Sequence, residues 1–130
     1  MKIDGNTIRM TDDEFRSHII AQDDDDDYSE SGYVVIRISN DLCFLSSYGH
    51  CSCYGTATSL RGGDYGDCKS DEFMVFQWRG TWAELVDMAK RTADPALPDR
   101  TADPEDYDYD HLVSVYSQIL KQNENDDSAK

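Results

Sequence analysis

Apolar positions in this chain follow two rhythms, one helical and one alternating, and strongly acidic stretches separate them. The first helical signal is Thr11-Asp12-Asp13-Glu14, a capping box in which the Thr11 hydroxyl and the Glu14 carboxylate close each other's free amides. Asp12 and Asp13 then sit at the positive end of the helix dipole. Phe15 and Ile19, four residues apart with Ile20 beside them, give this helix an inner face. It is expected to end before the run Asp23 to Asp27, where like charges repel at close spacing.

The alternating rhythm follows. Gly32 to Ser39 (GYVVIRIS) is rich in β-branched residues and predicts a strand. Ser39 to Asp41 predicts a short turn, and Leu42 to Gly49 a returning strand, so the two form a hairpin. Arg61 to Asp67 predicts a glycine-rich loop. Glu72 to Gly80 predicts a third strand, with Phe73, Val75 and Gln77 on one face and Met74, Phe76 and Trp78 on the other. A second capping box, Thr81 to Glu84, opens a helix whose stripe is Trp82, Leu85, Val86 and Ala89. The pentapeptide Arg-Thr-Ala-Asp-Pro occurs at 91–95 and again at 100–104. The first copy predicts the end of that helix. The second predicts the start of another, with Asp103 at the cap and Pro104 in the first turn. This third helix is expected to bury Leu112, Val113, Tyr116, Ile119 and Leu120. The pattern as a whole predicts an α+β fold: a small antiparallel sheet of about three or four strands with about three helices packed on one face. Residues 1–122 read as a single acidic domain and 123–130 as a flexible tail.

Composition narrows the function classes. The 130 residues are 38% hydrophobic and 30% charged, and no apolar run approaches the ~18 residues of a membrane span. The N-terminus lacks the apolar centre of a secretory signal, so the expected compartment is a reducing cytoplasm, where four cysteines remain thiols or bind metal. The net charge of −15 is unevenly placed. Residues 1–30 hold 10 acids and 3 bases, residues 31–93 hold 7 and 6, and residues 94–130 hold 10 and 3. Two flanks of −7 thus bracket a centre of −1. Such a field repels nucleic acid and attracts basic surfaces. Direct nucleic-acid binding is not expected, and a basic protein partner is.

The segment Tyr48 to Thr56 (YGHCSCYGT) concentrates the remaining chemistry. A metal site there would use His50, Cys51 and Cys53, with Cys43 or Cys68 as the fourth ligand. Structural zinc favours two to four residues between paired cysteines, whereas Cys51 and Cys53 are separated by one. A nucleophile reading pairs Cys51 or Cys53 with His18, His50 or His111. The third reading is structural: half-buried thiols at a strand end, bracketed by Gly49 and Gly55. The structural reading is the one adopted, with no resident metal or cofactor. No paired catalytic carboxylates, phosphate loop or nucleotide fingerprint accompanies it, and no enzymatic activity is expected.

The stretch SGYVVIRISNDLCFLSSYGHCSCYGT, followed by a Trp and an amphipathic helix, resembles a group of small uncharacterised phage and prophage proteins. These carry two strands leading into a His-Cys-Ser-Cys-Tyr-Gly motif, here His50 to Gly55. The similarity spans residues 28–90 and implies a phage origin without implying an activity.

The acidic run does not fit a calcium-binding EF-hand loop. Counted from Asp23, position 6 is Tyr28 rather than Gly, and position 12 is Val34 rather than Glu. Spacing suggests another role. An extended chain advances ~3.3 Å per residue, close to the ~3.4 Å per charge of one DNA strand. Asp23, Asp24, Asp25, Asp26 and Asp27 therefore approach the line charge of a phosphate backbone. Asp103, Glu105, Asp106, Asp108 and Asp110 add a second block, and Tyr28, Tyr107 and Tyr109 are placed to stack on arginine guanidiniums. The expected function is a phage-type inhibitor of a host nucleic-acid-targeting defence complex, binding its basic channel through an acidic surface. A Cys/His metal-binding or thiol-dependent regulator is the alternative, and a phage accessory structural protein a further one.

Overall fold

The structure, a computed structural model, describes residues 1–24, 30–50, 56–62, 73–93 and 109–128. Its elements run β1 (Lys2–Asp4), β2 (Thr7–Arg9), α1 (Asp12–His18), β3 (Ile19–Asp24), β4 (Glu30–Ser39), β5 (Leu42–His50), α2 (Thr56–Leu60), β6 (Met74–Val75), β7 (Trp78–Gly80), α3 (Trp82–Ala93) and α4 (Tyr109–Ser128). The class is α+β with antiparallel pairing throughout: a four-stranded sheet ordered β3-β4-β5-β7 and a three-stranded sheet ordered β1-β2-β6.

The larger sheet is covered on both faces. Val34, Val35 and Ile36 are consecutive on β4 and all fully buried. Strand alternation sends Val35 one way and its two neighbours the other. Val35, with Ala21, Cys43 and Leu45, packs against Trp82, Leu85, Val86 and Ala89 of α3 and Val115, Tyr116 and Ile119 of α4. Val34 and Ile36, with Phe44 and Tyr48, pack against Ile8, Met10, Phe15, Leu60, Met74 and Phe76. Each Val, Leu, Ile, Phe or Met among them contributes ~1.5–3 kcal/mol by leaving water. So α3 and α4 share one face, whereas α1, expected on that face too, lies on the other because Phe15 packs with Val34 and Ile36. The opposite face is covered by α1, α2 and the small sheet.

Both capping boxes form. Thr11 Oγ1 accepts from the Glu14 amide at 3.1 Å, and the Thr11 amide donates to Glu14 Oε1 at 3.0 Å. That second bond holds the Glu14 carboxyl below its ordinary range. Thr81 and Glu84 repeat the arrangement at 3.1 Å in both directions. The Trp82 amide donates to Asn40 O at 2.9 Å, which docks the β4–β5 turn on the start of α3. Arg37 lies over the Trp82 ring, 4.1 Å from its centre.

Several sequence expectations change. The helix α1 stops at His18, and the residues after it form β3 rather than a further helical turn and a loop. Ile19 pairs with Ile36 and Ala21 with Val35, leaving Ile20 as a bulge. Pairing with β4 buries this apolar stretch better than a helix would, so tertiary context overrides the i, i+4 pattern. The predicted strand 72–80 is two short strands in different sheets: β6 pairs β2, and β7 pairs β5. Met74 and Phe76 fill one core cluster while Trp78 packs against the other. The N-terminal hairpin β1–β2, turned at Gly5 with φ of 60°, and the short α2 were not foreseen. In α4 the fully buried positions are Val115 and Ile119, with Tyr116 nearly so, while Leu112 and Leu120 pack at the margin. The helix runs on to Ser128 through most of the expected tail. The start predicted at Asp103–Pro104 lies outside the described residues.

Candidate interaction surface

The β3 edge of the larger sheet is where the structure brings the end of β3 and the start of α4 together. Asp23 and Asp24 form the outgoing end of β3, opposite Tyr33 and Gly32 of β4. Asp23 shares the face of Ala21 and Val35, so its carboxylate projects toward α4. His111, in the first turn of α4, places Nδ1 at 3.3 Å from Asp23 Oδ2. The imidazole is mostly buried, at 13% exposed, and the carboxylate is 36% exposed. The second acidic block ends on Tyr109 and Asp110, immediately before this histidine. Asp23–Asp24 at the end of β3 and Tyr109–Asp110 at the start of α4, some ninety residues apart in sequence, therefore lie at one corner of the fold.

Polar contacts fix α4 along the same edge. The Gln22 amide donates to Gln118 Oε1 at 3.3 Å, and Gln118 Nε2 donates back to Gln22 O at 3.2 Å. Gln122 Nε2 donates to Ile20 O, the carbonyl freed by the bulge. His111, Gln118 and Gln122 are spaced seven and four apart and so form one stripe along the helix. They meet Asp23, Gln22 and Ile20 in descending order, so α4 runs antiparallel to β3. Gln22 Nε2 in turn donates to the Tyr48 hydroxyl at 2.7 Å. The sequence reading missed both glutamines. An amide at helical spacing beside an apolar stripe carries no signal until the strand it covers is known.

Of the predicted partner-binding residues, Asp23 lies on this surface by its side chain, and Asp24, Tyr109 and Asp110 by their backbone positions. Asp25, Asp26, Asp27, Tyr28, Asp103, Glu105, Asp106, Tyr107 and Asp108 lie outside the described residues.

The alternative site is reached by the structure only in part. Cys51, Cys53 and Cys68 lie outside the described residues. Cys43 and His50 stand at opposite ends of β5, seven residues apart, or ~23 Å at the ~3.3 Å rise of a strand. Cys43 is therefore not available as a ligand alongside His50. Its side chain is fully buried beneath α3, and burial pushes the thiol up to about 11, so it stays protonated at neutral pH and is a poor nucleophile. Among the described residues, no three His, Cys, Asp or Glu side chains come together as metal ligands. His18 closes α1, and His111 faces Asp23 rather than a thiol.

The fold and this surface define a small acidic α+β protein in which the end of β3 meets the start of α4 through Asp23 and His111. No protein-family model matches the chain, and no curated protein or solved structure matches it either. Among the described residues no helix is long and apolar enough to cross a membrane.

Proposed function

We propose that the protein is a phage-type inhibitor of a host nucleic-acid-targeting defence complex, acting in the host cytoplasm. Its acidic surface takes the place of nucleic acid in a basic channel. One observation carries this reading: Asp23 and His111 bring the end of β3 and the start of α4 into contact, so one described end of each acidic block lies at the same corner. Dispersed carboxylates give only solubility, whereas converging ones present a concentrated negative field to a basic groove. The net charge of −15 and the resemblance around His50 to Gly55 support the same reading.

The test is capture of partners from host lysate, followed by competition. The expected result is a nucleic-acid-binding complex that short DNA or RNA displaces, and whose capture weakens as salt rises. Partners retained equally with and without competing nucleic acid, at low and high salt alike, would overturn the proposal.

A further inference from the structure

We propose that Gln118 and Gln122 act as a surrogate fifth strand that holds the β3 edge closed, and that without them the edge pairs with β3 of a second copy of this chain. An edge strand presents a row of unpaired amides and carbonyls, which makes it a template for another strand. On β3 three of these groups are taken by side chains. Gln118 accepts from the Gln22 amide and donates to the Gln22 carbonyl, at 3.3 and 3.2 Å. That reciprocal pair is what a residue on a neighbouring antiparallel strand would supply. Gln122 covers a further group on this edge, the Ile20 carbonyl at the bulge.

The opposite side of the sheet uses the same device. Beyond β7, the Ser47 amide donates to Gln77 Oε1 at 3.2 Å while Gln77 Nε2 donates to Ser47 Oγ at 2.8 Å. The Gly49 amide donates to Ser59 Oγ at 3.0 Å. Side-chain capping of strand edges is thus repeated where the ladder runs out. The β3 edge has particular need of it. Ile19, Ile20 and Ala21 are apolar, and the first two are β-branched, the composition that favours strand pairing. Asp23 and Asp24 oppose self-pairing as well, since an antiparallel β3–β3 pair brings like charges together. Salt weakens that second guard and leaves the first unchanged.

The experiment compares wild type with the double variant Gln118→Ala/Gln122→Ala. Molecular mass is read by light scattering across protein concentration, at low and high salt, with amide exchange at Gln22 read in parallel. In the variant, mass is expected to rise toward about twice the wild-type value with concentration, more so at high salt. The Gln22 amide is expected to exchange fast when dilute and slowly again when concentrated. Wild-type mass at every concentration would overturn the proposal, whether Gln22 exchange is fast or slow. Should the double variant fail to fold, as judged by circular dichroism, Gln118→Ala alone decides on the same criteria. That variant leaves Gln122 on Ile20 and the apolar stripe of α4 intact.

Discussion

Arg61 Nη1 lies 2.5 Å from Asp12 Oδ1, and its Nη2 donates to Met10 O at 2.6 Å. The guanidinium is 1% exposed, so the end of α2 is tied through a buried cation to the start of α1. Removing it strands the Met10 carbonyl and empties a packed volume. Arg61→Met is expected to cost ~1–3 kcal/mol, since a buried acceptor left unsatisfied loses about that much. Urea unfolding of the variant measures it. A midpoint equal to wild type would show that the strut contributes nothing.

A side chain at Gly80 would run into Trp78. A Cβ at that position would sit 2.5 and 2.6 Å from two atoms of the Trp78 ring. Gly80→Ala therefore has to turn the indole away from the core cluster it joins beside α3. The expected loss is ~1–3 kcal/mol, in the range of overpacked sites, with Trp emission shifted to longer wavelength. Unchanged emission would mean that the ring does not fold over Gly80 in solution.

The capping boxes give a matched pair of tests. Thr11→Ala and Thr81→Ala each remove the acceptor for an orphan helix amide. Each is expected to cost ~1 kcal/mol of stability, read as a lowered thermal midpoint. The Thr11 site has a pH signature as well. The Glu14 carboxyl is held below its ordinary value in the fold, so its stabilisation is present above that value and fades as pH falls.

Alkaline pH is expected to destabilise the fold in two steps. Burial raises the Cys43 thiol from 9.0 to about 11, and burial raises the Tyr116 hydroxyl from 10.0 to about 12. In each case the unfolded chain ionises first. Stability is therefore unaffected by these groups below the unfolded values, and it falls as pH rises toward the folded ones. Unfolding midpoints measured between pH 8 and about 11 should decline. Cys43→Ala should remove the part of the decline that begins near 9 and leave the part due to Tyr116. An identical decline in wild type and variant would assign it elsewhere.

Replacing Asp23 to Asp27 with Asn removes five charges from the proposed contact with a basic groove. Exposed pairs contribute ~0.2–1 kcal/mol each, so an affinity loss of a few kcal/mol is expected for the captured partner at low salt, and a smaller one at high salt. Asp23→Asn alone, compared with the remaining four, separates loss of the His111 contact from loss of charge. Equal binding by wild type and the five-Asn variant at both salts would take this run out of the interface.

Local signals were legible wherever a feature is completed within a few residues. The capping boxes at Thr11 and Thr81, the hairpin from Gly32 to Gly49 and the stripe Trp82, Leu85, Val86 and Ala89 all follow from near neighbours. The charge asymmetry is equally a property of the sequence, because it needs only counting. What only the tertiary structure decided is pairing. Ile19 and Ile20 fit a helical face as well as a strand, and it is β4 that makes them a strand, by offering partners from Ile36 to Gly32. Residues 72–80 alternate evenly, yet they divide between two sheets because β2 and β5 lie on different layers. The meeting of Asp23 with His111, and of Gln22 with Gln118, joins positions roughly ninety residues apart. No periodicity encodes such contacts, since they exist only after the burial of Val115, Tyr116 and Ile119 has laid α4 along the sheet.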